Sequence, residues 1–164
     1  MIEMIVLDVD GCLTDGRIYY TDAGEEVKAF SVKDGLGISA WVRLGKKVAI
    51  ITGRRSKIVE RRAKELGVTH LHQGVKDKKT LLASLIEQEG LNWGQVAAIG
   101  DDWNDIGMLE SVGWSFTPAD GAKPIQERVQ TRLISKGGRG AVREMIDKIL
   151  EKDGLQGAME TLWH

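Results

Sequence analysis

The chain has a single cysteine among its 164 residues, Cys12, so no disulfide can form within it and the expected setting is a reducing compartment. Long hydrophobic runs are also missing. No apolar stretch approaches the ~18 residues needed to span a bilayer, and the first residues show neither a basic leader nor a small-residue cleavage site. A cytoplasmic protein is the resulting expectation. Excess charge of either sign is lacking too: 23 Lys and Arg nearly balance 24 Asp and Glu. That excludes a generic nucleic-acid or membrane-surface binder, which relies on overall positive charge. There is no internal repeat and no low-complexity linker. With 42% hydrophobic residues, the chain is long enough for one sizeable core and short for two, so residues 1–164 read as one domain.

What is present is an alternation. Strand-length apolar runs at 4–8, 47–52, 69–73, 95–101 and 113–117 are separated by segments with helical spacing at 36–44, 56–66, 77–89, 104–111 and 140–152. Asp, Asn or Ser opens several of these helices, and Gly45, Gly67, Gly90 and Gly113 fall where helices should stop. Strands alternating with helices predict an α/β fold, a Rossmann-like parallel sheet covered by helices on both faces. One segment departs from the pattern. Residues 17–32, RIYYTDAGEEVKAFSV, have two β-prone arms around a turn-rich Thr21-Asp22-Ala23-Gly24, which predicts a β-hairpin flap after the first strand. The tail at 154–164 carries Met159, Leu162 and Trp163 on a segment too short for its own core, so it should dock on this subunit or on a neighbour.

In open parallel sheets, ligands bind beyond the carboxyl ends of the strands. The first strand ends in Asp8-Val9-Asp10-Gly11, the second in Thr52-Gly53-Arg54 and the fourth in Gly100-Asp101-Asp102 with Asp105 beyond, while Lys78 opens the helix after the third. Carboxylates gathered in one pocket repel, and a hard divalent cation such as Mg²⁺ relieves them through oxygen ligands, with Asp8 and Asp101 the natural pair. Positions i and i+2 of a strand point the same way, so Asp8 and Asp10 can face one reacting centre. One attacks a phosphoryl group to give an aspartyl phosphate, and the other moves the proton. The Thr52 hydroxyl, the Lys78 ammonium and backbone N–H groups near Gly11 and Gly53 would hold the phosphoryl oxygens. Phosphate-monoester hydrolysis is slow enough that catalysts reach enhancements of up to about 10²¹-fold, so several such terms must act together. Taken singly, each piece has a plain structural reading as a turn, a strand end or a solvated helix start. The four together, in this order and each at a strand end or the helix beyond, point to phosphoryl chemistry.

The stretches DVDGCLTDG, IITGR, Lys78 and IGDDWND resemble the four motifs of the haloacid dehalogenase superfamily of phosphatases. More narrowly, GRIYYTDAGEEVKAFSVKDGLGI, GVTHLHQGVKDK and KGGRGAVREMID are similar to the small branch that lacks a cap domain and acts on phosphorylated sugar acids. That branch covers eight-carbon 3-deoxy-D-manno-octulosonate 8-phosphate, a precursor in lipopolysaccharide biosynthesis, and nine-carbon sialic-type 9-phosphates. The resemblance implies that Asp8 is the nucleophile and Asp10 the acid/base, that Asp8, Asp101 and the Asp10 carbonyl bind Mg²⁺, and that Thr52 and Lys78 hold the phosphoryl group. Asp102 and Asp105 would orient this cluster. It also implies a homotetramer in which the hairpin of one subunit covers the active site of the next, bringing Lys33-Asp34 near the neighbour's pocket.

Substrate selection has three arginine candidates. Arg54 directly follows Thr52-Gly53 and is best placed to read a sugar-acid carboxylate or hydroxyls. Arg62 interrupts the apolar stripe Ile58, Val59, Ala63, Leu66, so it either covers apolar surface with its stem or seeks a carboxylate. Arg139, in GGRGA, is either a loop arginine or a third anion contact. His70 and His72 share a strand face but lack a third ligand for a transition metal, and Cys12 reads as a packing residue. Two other classes stand beside a phosphatase: a phospho-accepting signalling receiver, which carries its phosphorylated Asp on a later strand, and a catalytically silent assembly domain, which has no need of four intact motifs.

Overall fold

Met4–Leu7 has no polar side chain and is completely buried, which places it at the centre of the sheet as β1. It pairs in parallel with β4 (Lys47–Ile51) on one side and β6 (Val96–Ile99) on the other, with Ile5 opposite Val48 and Ala97. The computed structural model describes residues 1–164. Its main sheet has six strands in the order β5-β4-β1-β6-β7-β8, all parallel, with β5 at His70–His72, β7 at Trp114–Thr117 and β8 at Thr131–Arg132. The antiparallel pair β2 (Tyr19–Tyr20) and β3 (Glu26–Val27) forms the separate hairpin flap.

The two-residue period of each strand splits the core in two. Ile5, Leu7, Val48, Ile50, Ala97 and Ile99 face α1 (Val32–Arg43), α2 (Lys57–Leu66) and α6 (Ala141–Asp153). Met4, Val6, Ala49, Ile51, Val96 and Ala98 face α3 (Lys78–Gln88), α4 (Ile106–Leu109) and α5 (Lys123–Gln126). A sheet buried on both faces accounts for the near-continuous apolar strands.

Two expectations shift, and the tail takes one of its two expected places. Helix α1 starts at Val32 rather than at 36, because the Ser31 hydroxyl accepts the Asp34 N–H and caps it. Glycines at 35 and 37 lower helix propensity and hid that first turn. They are there for packing: a Cβ on Gly35 would lie 2.3 Å from Arg62 Nη2. The segment 104–111 is a 3₁₀ turn at Trp103–Asp105 followed by the single turn of α4. The tail forms α7 (Gln156–Thr161) and packs on this subunit, with Leu155 and Met159 against the core and the Arg43 guanidinium 4.9 Å from the Trp163 ring centroid. No helix is long and apolar enough to cross a membrane.

Candidate active site

Strands β1, β4 and β6 all end at one cleft of about 290 Å³, which Asp8, Asp10, Thr52, Gly53, Arg54, Asp101 and Asp102 line together. Beyond β1 the chain makes a tight turn, closed by Thr14 N–H donating to Val9 O at 3.0 Å. Gly11 sits in it at φ +95°, and a Cβ there would come within 1.9 Å of Asp101 Oδ2. Only glycine lets the first catalytic loop lie this close to the carboxylate delivered by β6.

Beneath the cleft lies a charge network. Lys78 Nζ donates to Asp8 Oδ1 at 2.8 Å and to Asp105 Oδ1 at 2.7 Å, with the Lys78 and Asp105 side chains fully buried. Burial works against the Lys78 ammonium, but the two carboxylates outweigh it and hold its pKa above the ordinary lysine value. Asp105 Oδ2 in turn accepts the N–H groups of Asp101 at 2.9 Å and Asp102 at 3.2 Å, which fixes the loop after β6. The two residues expected to orient the cluster therefore differ. Asp105 is buried under it, whereas Asp102 stands at the exposed rim and caps the turn through Trp103 N–H.

Asp8, Cys12 and Asp101 offer ligand atoms within 4.8 Å of one another. Burial, then the Asp105 charge, pushes the Asp8 pKa up to about 6, and burial, then the Asp8 charge, pushes Asp101 to about 8. Burial also raises the Cys12 thiol well above its ordinary range, so it stays protonated and packs, leaving oxygen donors alone. Two neighbouring carboxylates that resist ionising together, Asp8 buried and Asp101 partly so, suit a hard divalent cation. A stability consequence follows. Carboxylates with pKa values raised from 3.8 to about 6 and 8 take up protons on folding, so the metal-free protein loses stability as pH climbs from about 4 to about 8. Mg²⁺ competes with those protons. Its increment in thermal unfolding midpoint should therefore be larger at about pH 8 than at about pH 5; equal increments would contradict a metal held by these carboxylates.

Thr52 is buried at the end of β4, its backbone fixed by N–H donation to His72 O at 3.0 Å, and its hydroxyl has no partner within the protein. Arg54 is half exposed, its Nη2 4.0 Å from Glu26 Oε1. The other selection candidates lie elsewhere. Asp34 is a correction: it is 1% exposed and turned inward, its Oδ1 accepting Arg143 N–H at 2.9 Å at the start of α6, so it serves the packing of α1 on α6 and presents no carboxylate to a substrate. Arg62 lies outside the cleft, its guanidinium 5.7 Å from the Phe30 ring centroid and 3.4 Å from Glu65. Lys33 and Arg139 are exposed and do not line the cleft. His70 is engaged by Glu89 at 2.6 Å, which leaves the histidine pair no role at the site.

Sequence reasoning missed the flap's contribution. Lys28 Nζ sits 2.6 Å from Asp10 Oδ1 and 2.7 Å from Glu26 Oε1. Ile18 and Asn104 also line the cleft. The one signal available was that the hairpin follows directly on the first motif and carries opposite charges on its return arm.

Residues 36–113 match the model of the haloacid dehalogenase-like hydrolases, a span that includes Thr52, Lys78 and Asp101. The chain is similar to 3-deoxy-D-manno-octulosonate 8-phosphate phosphatase KdsC of Yersinia pestis, at 45% identity over 158 residues, covering 96% of this chain and 84% of that protein. The enzyme of the same name from Escherichia coli K12 is 44% identical over 153 residues, covering 93% and 81%. Among solved structures, 3-deoxy-D-manno-octulosonate 8-phosphate phosphatase from Moraxella catarrhalis, in complex with magnesium ion, phosphate ion and KDO, superposes with a TM-score of 0.95 at 39% identity, covering 99% of this chain and 94% of that one.

Proposed function

The chain belongs to the haloacid dehalogenase-like hydrolases, in the family of the 3-deoxy-D-manno-octulosonate 8-phosphate phosphatases, and on that premise we propose that it hydrolyses the phosphate of this eight-carbon sugar acid in lipopolysaccharide precursor biosynthesis. It is a phosphoric monoester hydrolase with Mg²⁺ as cofactor. The observation that carries the reading is the convergence of Asp8, Asp10, Thr52 and Asp101 in one cleft, with Lys78 bonded to Asp8 from beneath.

In this reading an Asp8 carboxylate oxygen attacks phosphorus while the bond from phosphorus to the sugar oxygen breaks, and Asp10 gives its proton to that leaving oxygen. Water then attacks the aspartyl phosphate, Asp10 takes the water's proton, and inorganic phosphate leaves with Asp8 regenerated. Lys78 keeps Asp8 ionised against its burial and lies beside the phosphoryl site, where Thr52 supplies a hydroxyl donor. Asp8 and Asp101, with the Asp10 carbonyl, are the residues that would hold Mg²⁺, which when bound offsets the negative charge of carboxylates and phosphate. Arg54, at the rim and half exposed, is placed to read the anion or hydroxyls beyond the phosphate.

Ile18, Tyr19, Tyr20, Val27 and Val32 leave an apolar surface exposed on and beside the flap, which supports a neighbouring subunit covering the site as in the expected homotetramer. Comparing kcat/KM for 3-deoxy-D-manno-octulosonate 8-phosphate, a nine-carbon sialic-type 9-phosphate and hexose 6-phosphates tests the substrate. The eight-carbon acid should exceed the hexose phosphates by about 10²-fold or more, because polar groups built for a carboxylate are left unpaired by a neutral sugar. A nine-carbon preference would move the protein to the sister substrate, and hexose phosphates within tenfold would defeat the sugar-acid reading.

A further inference from the structure

The flap is tied into its own active site by a chain of charges. Lys28 leaves β3 and extends toward the end of β1, where its side chain is 2% exposed. Its ammonium lies 2.6 Å from Asp10 Oδ1 and 2.7 Å from Glu26 Oε1, and Glu26 Oε1 is 4.0 Å from Arg54 Nη2. The return arm of the hairpin thus reaches two cleft residues, Asp10 through Lys28 and Arg54 through Glu26.

The consequence lies in the geometry of Asp10. Its side chain is 20% exposed and has a single protein partner, Lys28. Left to itself, a partly exposed carboxylate at the mouth of a turn samples several rotamers, and a proton carrier must be held within hydrogen-bond reach of the atom it serves. A buried ammonium on Oδ1 removes that freedom and leaves Oδ2 as the oxygen free to face the leaving group and then the attacking water. A lysine of ordinary structural role would pair at the surface, where such contacts contribute little and cost side-chain entropy. Lys28 is instead desolvated and spends two short contacts on Asp10 and Glu26.

We infer that Lys28 is a positioning residue for phosphate-ester hydrolysis: delivered by the flap, it orients the Asp10 carboxylate so that one oxygen faces the departing sugar oxygen. The inference rests on the reading of Asp10 as the proton carrier. It makes the flap a working part of the subunit that bears it, besides any cover it gives a neighbour. Glu26 completes the arrangement by holding the other side of the ammonium and drawing Arg54 toward the same edge of the cleft.

The test compares two substrates that share a phosphoryl group and differ in leaving group. A p-nitrophenolate leaves without a proton, whereas the alkoxide of 3-deoxy-D-manno-octulosonate 8-phosphate needs one, and kcat/KM reads only the steps through transfer to Asp8. With general acid catalysis typically contributing 10²–10⁴-fold, Lys28→Met and Lys28→Gln should lower kcat/KM about 10- to 100-fold on the sugar-acid phosphate and no more than about threefold on p-nitrophenyl phosphate. The loss should fall on kcat rather than KM, and Lys28→Arg should recover most of it. Asp10→Asn should show the same leaving-group selectivity, and adding Lys28→Met to it should cost nothing further. Equal losses on both substrates, or a multiplicative loss in the double variant, would overturn the inference, since Lys28 would then act on folding or on substrate binding. If Asp10→Asn itself shows no selectivity between leaving groups, the proton-carrier reading fails and the inference falls with it. If only the Lys28 variants lack selectivity, that reading stands and the inference alone is lost.

Discussion

Asp8→Asn should abolish Mg²⁺-dependent phosphate release while leaving the metal-free protein at least as stable as the wild type. The substitution keeps the shape of the side chain and removes its nucleophilic oxygen. A carboxamide cannot form the aspartyl phosphate, so kcat should fall by about 10⁴-fold or more, in the range seen when a nucleophile is removed from an enzyme. The stability half of the prediction comes from the electrostatics. Burial and the Asp105 charge raise the Asp8 pKa to about 6, which means that its ionised form is unfavourable in the fold despite Lys78. A neutral Asn relieves that repulsion and still accepts from Lys78 Nζ through its carbonyl. The increment in unfolding midpoint produced by Mg²⁺ should shrink, because one of its two carboxylates is gone. Colorimetric phosphate release and thermal denaturation with and without Mg²⁺ read both halves. Activity within tenfold of the wild type would remove Asp8 from the role of nucleophile.

Asp8, Thr52, Lys78 and Asp101 were legible because each follows a strand-length apolar run or opens the helix after one, and a parallel sheet gathers its strand ends on one side. The strand order was not legible: nothing in the runs says that β1 lies between β4 and β6, and β8 spans only two residues, too short to show as a run. Lys28 was not legible. Its partner is 18 positions away, across a turn and a hairpin whose arms pair over only two residues each, and no periodicity carries such a contact. Asp34 misled for the opposite reason. The resemblance puts Lys33-Asp34 near a neighbour's pocket, but Ser31 caps a helix there and the first turn of α1 directs Asp34 under the start of α6. The difference between Asp102 and Asp105 is also tertiary. Both sit in GDDWND, and only the 3₁₀ turn at Trp103–Asp105 swings the second beneath the cleft toward Lys78. Arg62 broke an apolar stripe as read, yet its surroundings proved to be the ring of Phe30 and the Glu65 carboxylate rather than the cleft.

Lys78→Met should cost both the fold and the reaction, and a second substitution should separate the two. In the wild type one ammonium serves two buried carboxylates at 2.8 and 2.7 Å. Methionine has a similar length and fills the same space, so packing is retained and the loss is electrostatic. Breaking a buried ion pair from one side typically costs about 3–5 kcal/mol, because the remaining charge has neither water nor a partner. For a domain of this size that corresponds to a drop of roughly 10 °C in the unfolding midpoint of the metal-free protein. Lys78 is also the principal influence lowering the Asp8 pKa, so without it Asp8 holds its proton more tightly and is a poorer nucleophile. Activity should fall by about 10³-fold or more even where the variant is fully folded. Adding Asp105→Asn removes the second stranded charge while an amide oxygen remains to accept from the N–H groups of Asp101 and Asp102. The double variant should regain most of the lost midpoint and almost none of the activity, since Asp8 still lacks its cation. If activity returned along with stability, Lys78 would be a structural counter-ion whose place at the phosphoryl site is incidental; if neither returned, the buried triad would not be the source of the loss.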